Sequence, residues 1–151
     1  MKIMGISCFY HDSAAALIED GNILAANQEE RFTRIKNDPS FPLNSINACF
    51  LQSGIKAQDI DAFVFYEKPY SKFERIVETI YSFSPGGFKF FREFVKKWSL
   101  NNFSFEVNIK KVNKNSEILY SSHHLSHASS AFFPSPFDEA AILTIDGVGE
   151  Y

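Results

Sequence analysis

The chain has 151 residues, of which 45% are hydrophobic and 22% are charged. This composition supplies enough apolar material for one domain with a buried core and excludes a disordered chain. The net charge of −3 argues against nucleic acid or a membrane surface as the main partner, and no block of Lys or Arg exceeds two residues. Two isolated cysteines and no apolar run of the roughly 18 residues that span a bilayer predict a cytoplasmic protein with a small ligand.

The first 27 residues predict a β-meander. Strand-forming residues occupy positions 2–9, 14–18 and 22–27, and Asp20-Gly21 is a strong hairpin signal between the second and third strands. The first two strands are separated by a polar turn that contains His11 and Asp12. This turn is equally consistent with ordinary turn chemistry and with a functional site.

The next elements indicate an α/β fold with a partly parallel sheet. Residues 28–36 are charged and aperiodic, which is typical of a solvated connection. Pro42 begins a predicted helix that runs through Ser53 and ends at Gly54, with Leu51 on its inner side. Residues 60–66 then form a buried strand, and a strand that follows a helix implies a crossover connection.

Two helices are predicted at residues 72–81 and 88–98. The second carries an aromatic stripe, for which packing against other protein is the favoured interpretation and a pocket for an aromatic substrate is the alternative. Residues 101–116 are rich in Lys and Asn and predict a mobile connection. A short strand at 117–121, a helix at 123–133 and a fully covered strand at 140–145 complete the predicted elements.

Three of the four histidines lie between positions 123 and 127. On a helix, His123 and His127 share one face and can hold one metal ion, although such a pair can also be purely structural. The predicted helix at 123–133 carries the chain about 15 Å away from His123, and the predicted strand at 140–145 can carry it back by about 20 Å. Asp146, at the end of that strand, can therefore lie beside the two histidines as a third ligand. Because His124 stands where zinc proteases carry a glutamate, a protease function is disfavoured.

Two glycines follow Asp146 at positions 147 and 149. Since they lack a Cβ, Gly147 and Gly149 allow the backbone to direct N–H groups at a phosphate or carbonyl oxygen. An Asp-Gly turn alone is weak evidence, and its value here comes from the two histidines upstream. We therefore expect these glycines to contact a cofactor.

Three stretches together resemble one family: GISCFYHDSAAAL (5–17), EERFTRIK (29–36), and HHLSHA (123–128) with DGVGE (146–150). They are similar to the N-terminal region of NodU/CmcH-type carbamoyltransferases, which modify hydroxyl groups of nodulation factors, cephems and aminoglycosides. The resemblance implies an actin-like, RNase H-like mixed sheet and an iron-type divalent metal bound by His123, His127 and Asp146. The ligand types alone suit Fe, Zn, Co or Mn.

The resemblance also implies roles for residues outside the predicted metal site. His11 and Lys36 lie where the family places acceptor-side catalytic and carbamoyl-nucleotide-contacting groups. A neutral histidine can remove the proton of an acceptor hydroxyl, while a lysine can stabilise negative charge on the leaving phosphate. His124 is expected to support the metal ligands or contact the nucleotide, and Asp12 to orient His11.

Members of this family run to several hundred residues, with a second actin-like half and a domain that makes carbamoyl-adenylate from carbamoyl phosphate and ATP. We therefore expect residues 1–151 to be the N-terminal half of an actin-like domain that is incomplete at its C-terminus and inactive in isolation. Its partners would be the missing C-terminal portion, or an adjacent chain, and a small hydroxylated acceptor. Two alternatives are an actin-like sugar-kinase-type phosphotransferase, which would use Mg²⁺ with oxygen ligands, and a catalytically incomplete metal-binding fragment.

Overall fold

The computed structural model describes residues 1–83, 86 and 88–146, apart from the side chains of residues 72, 88–90, 94 and 97–104. In this part of the chain five strands form one sheet, in the order β3-β2-β1-β4-β5. The strands are β1 (Lys2–Ser7), β2 (Ala14–Glu19), β3 (Asn22–Gln28), β4 (Ala62–Phe65) and β5 (Glu117–Tyr120). Strands β1, β2 and β3 are antiparallel, whereas β1, β4 and β5 are parallel. The predicted α/β class and N-terminal meander are confirmed, and the actin-like assignment stays a prediction.

The hairpin between β2 and β3 is made by the Asp20-Gly21 pair. Both residues have a positive φ, 48° for Asp20 and 85° for Gly21. Two consecutive left-handed residues match the right-handed twist of the flanking strands, and Asp-Gly adopts this conformation readily. The predicted hairpin is therefore confirmed, with a register shift between Leu17 and Ile18 on β2.

Helices lie in both connections between the parallel strands, and one further helix follows β5. They are α1 (Glu30–Thr33), α2 (Leu43–Ser53), α3 (Pro69–Ser82), α4 (Phe88–Val112) and α5 (His123–Phe132), with a 3₁₀ turn at Ala57–Asp59. Helix α2 ends as predicted at Gly54, whose φ of 71° suits glycine. None of the helices in the described residues has both the length and the apolar character needed to cross a membrane.

The hydrophobic core lies on one face of the sheet. Alternate residues of neighbouring strands are buried there, and the register places Met4 beside Phe63 and Ile6 beside Phe65. Helix α2 adds Ile46 to this core, although Leu51, which was expected on its inner side, is 85% exposed. Both cysteines are free and buried.

The predicted mobile connection at residues 101–116 is wrong, because α4 continues to Val112. Phe105 and Ile109 lie one helical turn apart and are both buried in the core. The ring centroid of Phe105 is 4.5 Å from that of Phe65 on β4. A small apolar stripe therefore holds the helix on the sheet despite its many Asn and Lys residues.

The predicted strand at residues 140–145 is also wrong within the described residues, where this stretch has no strand assignment. Leu143 is 83% exposed and Ile145 is 84% exposed, the opposite of a strand covered on both faces. The apolar run has the composition of a strand, but a strand forms only where the segment pairs with a neighbouring strand. The five strands of the described sheet are paired with one another and not with this segment.

The charged stretch after β3 is exposed over most of its length, as predicted, but it is anchored in the fold at Glu29. Helix α1 forms part of it, and the Glu29 side chain just before α1 is only 2% exposed. Its carboxylate accepts hydrogen bonds from the main-chain N–H groups of Asn44 and Ser45 at 3.2 and 2.8 Å. It also accepts bonds from their side chains, both at 2.7 Å. These donors stand at the N-terminus of α2, where unpaired N–H groups and the helix dipole favour a negative charge.

Candidate active site

The carboxyl ends of the three parallel strands meet at one edge of the sheet. The loop of residues 9–13, termed here the His11 loop, follows β1, and Tyr66 follows β4. Helix α5 begins shortly after β5, at His123. Open α/β sheets bind their ligands at this edge, so the topology brings the predicted site residues to the expected place.

Two hydrogen bonds fix the start of α5 to the end of β4. The Ser121 N–H donates to the carbonyl oxygen of Phe65 at 2.9 Å. Within α5, the Ser126 hydroxyl donates to the carbonyl oxygen of Tyr66, also at 2.9 Å. His123 and His127 flank Ser126 on the helix and are therefore held at a defined height above the sheet edge.

Asp146 lies next to these two histidines. Its Oδ2 atom is 2.6 Å from Nε2 of His123 and 3.8 Å from Nε2 of His127. The two Nε2 atoms are 3.1 Å apart. The convergence expected from the sequence is thus present in the structure, although Asp146 arrives by an irregular segment and not by a strand.

The geometry of His123, His127 and Asp146, termed here the triad, fits a divalent metal. Metal–ligand bonds of about 2.0–2.1 Å in tetrahedral or octahedral geometry place neighbouring ligand atoms about 2.8–3.4 Å apart. The separations in the triad bracket this range, and its ligand atoms all lie within 4.8 Å of one another. Side-chain exposures of 23% for His123, 55% for His127 and 39% for Asp146 leave one side open to solvent. Three protein ligands with an open side are typical of a catalytic metal site, and metal binding itself stays a prediction.

Tyr66 forms one wall of the triad, a role that the sequence analysis missed. Its ring stands edge-on to the His123 ring, with centroids 5.5 Å apart. Burial raises the pKa of the Tyr66 hydroxyl, and nearby negative charge on Glu67 raises it further. The phenol therefore remains protonated at neutral pH and can donate a hydrogen bond. Only its position at the end of a parallel strand could have indicated this role.

The His11 loop contains a second cluster. Nδ1 of His11 is 2.6 Å from Oδ2 of Asp12, so the ring can donate its Nδ1–H to the carboxylate. The His11 loop is tied to the segment that follows β3 by main-chain bonds from Phe9 N–H to Pro39 and from Ser13 N–H to Asp38, at 2.8 and 2.9 Å. The two motifs that lie apart in the sequence, around residues 11 and 36, thus form one structural unit.

The remaining predicted site residues lie around these clusters or outside the described residues. Lys36 is exposed, in the segment bonded to the His11 loop. His124 is half-buried, with its ring centroid 6.0 Å from that of His123. Gly147 and Gly149 fall outside the described residues. The roles expected for these four residues stay predictions.

Comparison with known proteins assigns the family. Residues 2–151 match the family described as Carbamoyltransferase N-terminus. The chain belongs to this family. Proteins with similar sequences include members from bacteria and from an archaeon. It is 49% identical to an uncharacterized protein of Synechocystis sp. over 99% of this chain and 26% of the relative.

Two further relatives are more distant. The chain is 36% identical to Nodulation protein NolNO of Sinorhizobium fredii, over 95% of this chain and 20% of that protein. It is 33% identical to an uncharacterized protein of Methanocaldococcus jannaschii, over 98% of this chain and 22% of that protein. The chain therefore spans about a quarter or less of the length of these three relatives.

Proposed function

We propose that this chain is the N-terminal part of an enzyme that transfers a carbamoyl group from carbamoyl-adenylate to a hydroxyl of a small molecule. The carbamoyl-adenylate would come from carbamoyl phosphate and ATP, made by a further part of the enzyme. The single observation that supports the proposal best is the convergence of the triad at a sheet edge that also carries His11, in a Carbamoyltransferase N-terminus chain.

His123, His127 and Asp146 would hold a divalent metal, with iron first and zinc, cobalt or manganese as alternatives. When bound, such an ion supplies Lewis acidity toward a carbamoyl or phosphate oxygen. The half-buried Tyr66, whose ring contacts that of His123, would shield one side of the triad from water. His124 beside His123, and the backbone after Asp146 at Gly147 and Gly149, would contact the nucleotide.

His11 would act as the general base. Because its Nδ1 faces Asp12, the opposite nitrogen, Nε2, can accept the proton of the acceptor hydroxyl. The hydroxyl oxygen forms a bond to the carbamoyl carbon, the bond from that carbon to the phosphate oxygen breaks, and AMP leaves with the electron pair. Lys36 would stabilise the negative charge that develops on the leaving phosphate.

Metal binding can be tested on the 151-residue chain itself. After treatment with a chelator, the chain should bind one equivalent of Fe²⁺, Zn²⁺ or Co²⁺, measured by anaerobic calorimetric titration. His123→Ala, His127→Ala and Asp146→Ala should each weaken the affinity by about 100-fold or more, because each removes one of three ligands. His11→Ala removes a histidine outside the triad and is the matched control. Equal affinity in all four variants would contradict the metal site.

Transfer can be tested in a fusion of this chain to the part of the Synechocystis relative that follows its matched region. The fusion, given carbamoyl phosphate, ATP and a panel of hydroxylated small molecules, should release AMP and form an O-carbamoylated product detected by mass spectrometry. His11→Ala should lower the rate constant of transfer by about 100-fold or more. If the metal binds and no transfer occurs in the fusion, the chain is better described as a metal-binding module.

A further inference from the structure

The carboxylate of Asp12 lies between His11 and Asn37. One of its oxygens, Oδ2, faces Nδ1 of His11 at 2.6 Å. The Asn37 side-chain nitrogen Nδ2 lies 3.2 Å from both Oδ1 and Oδ2, and the Gln28 side chain donates to Oδ1 at 3.4 Å. The carboxylate thus contacts two neutral amide groups in addition to the His11 ring.

Asn37 is itself bonded to α1 through its main chain. Its main-chain N–H donates to Oε2 of Glu30 on α1 at 3.0 Å. Its φ of 56° lies in the left-handed region, which asparagine adopts more readily than other residues with a Cβ. Asp12, with a φ of 53°, is left-handed as well. The two residues whose side chains meet at this carboxylate are therefore both left-handed, and such backbone positions cluster at functional sites.

We infer that Asn37 is a positioning residue for His11, an inference that rests on the proposed carbamoyl transfer. Asn37 fixes the orientation of the Asp12 carboxylate, and that carboxylate holds the proton of the His11 ring on Nδ1. The lone pair on Nε2 is then available to take the proton from the acceptor hydroxyl. Asn37 acts through Asp12 and touches no reacting atom, and nothing in the family match assigns it a role.

Two variants separate this role from a merely structural one. Asn37→Gly deletes the amide while tolerating the left-handed backbone. Asn37→Asp keeps the shape but places a second carboxylate against Asp12, which repels it. Asp12→Asn serves as the reference for a lost carboxylate. Asn27→Asp is the matched control, because Asn27 donates to Gln52 at 2.9 Å, away from the His11 loop.

The first measurement is the ¹⁵N NMR spectrum of the His11 ring in the 151-residue chain, at a pH where the ring is neutral. The unaltered chain and Asn27→Asp should show the proton on Nδ1. Asn37→Gly, Asn37→Asp and Asp12→Asn should shift the population toward the form protonated on Nε2. The inference is overturned if both Asn37 variants keep the tautomer of the unaltered chain while Asp12→Asn loses it. It is also overturned if the unaltered chain carries its proton on Nε2.

The second measurement uses the fusion described above. Asn37→Gly should lower kcat by about 10- to 100-fold and change the KM for the acceptor by less than about twofold, since only proton removal is impaired. An unchanged kcat would contradict the inference. A fusion that shows no transfer in any variant would count against the proposed function alone, because the tautomer measurement decides the role of Asn37 without turnover.

Discussion

The His11 loop and the triad lie at the same edge of the sheet, yet they are built in opposite ways. The His11 loop is tied by main-chain hydrogen bonds to the segment after β3, and that segment is bonded in turn to α2 through Glu29. The triad takes its two histidines from α5, but its carboxylate comes from an exposed segment that forms no strand. The first cluster is fixed by the fold, whereas the second is completed by a residue of an exposed, irregular segment.

This difference has a chemical reason. A general base must be held within hydrogen-bond reach of a proton, so its surroundings need to be rigid before the substrate arrives. A metal ion, by contrast, can itself supply the free energy that orders a ligand, since metal binding and local folding are coupled. We therefore expect the His11 loop to depend on the fold, and Asp146 to depend on the metal.

The largest effect should come from Glu29, which anchors the segment next to the His11 loop. Glu29→Ala removes a buried carboxylate and leaves the N–H groups of Asn44 and Ser45 without their acceptor. We expect the free energy of unfolding to fall by about 3–5 kcal/mol, measured by urea denaturation. In the control Glu19→Ala, an exposed pair with Lys2 is lost, which should cost less than about 1 kcal/mol. A loss below 1 kcal/mol for Glu29→Ala would show that the anchor is not needed.

Metal should act on the other region. At a free metal concentration of about 100 times Kd, the free energy of unfolding should rise by about 2.7 kcal/mol. Amide hydrogen exchange should slow in residues 140–146 and change little in residues 9–13. His127→Ala should abolish both the stabilisation and the protection. Protection that appears equally in both regions would mean that the two clusters are not independent.

A smaller effect is expected from Ser126, which joins the histidine-bearing helix to the sheet. Ser126→Ala removes the bond to the Tyr66 carbonyl and should cost about 0.5–1.5 kcal/mol of unfolding free energy, with weaker metal binding. The matched control is Ser130→Ala on the same helix, because the Ser130 hydroxyl donates to the His127 carbonyl of that helix at 2.8 Å. Equal metal affinities in the two variants would indicate that α5 needs no tie to β4.

The sequence predicted the parts of the fold that local patterns govern. The runs of strand-forming residues predicted the meander, and Asp20-Gly21 predicted its hairpin. The spacing of His123 and His127 predicted that both lie on one face of a helix. The same patterns misjudged α4, where Phe105 and Ile109 are the decisive residues within a stretch dominated by Asn and Lys. Composition averages over a stretch, whereas one turn of buried apolar residues is enough to dock a helix.

The other errors concern contacts between distant residues. Glu29 looked like part of a solvated connection because the helix N-terminus that accepts its charge lies 15 positions later in the chain. The run at 140–145 has the composition of a buried strand, but no pattern within it shows whether a neighbouring strand has free backbone groups. Asn37 joins the site through tertiary contacts, and the sequence around it gives no signal of them. Tyr66 has one indirect signal, its position at the end of a predicted buried strand, but its contact with His123 is tertiary as well.

The smallest effect separates the two regions by their response to acid. The Ser40 hydroxyl and the Ser40 main-chain N–H hold the pKa of Asp38 below its usual value, and the carbonyl of Asp38 accepts the N–H of Ser13 in the His11 loop. A lowered folded pKa stabilises the protein above the unfolded value of about 3.9, and this contribution is lost as the pH falls through the folded pKa. Asp38→Asn should therefore be less stable at pH 7 by at most about 1 kcal/mol, with the difference shrinking toward pH 3 in urea denaturation. In Ser40→Ala, the loss of unfolding free energy at low pH should begin at a higher pH. If the unfolding free energies of Asp38→Asn and the unaltered chain differ by the same amount at every pH, the charge of Asp38 does not support the His11 loop.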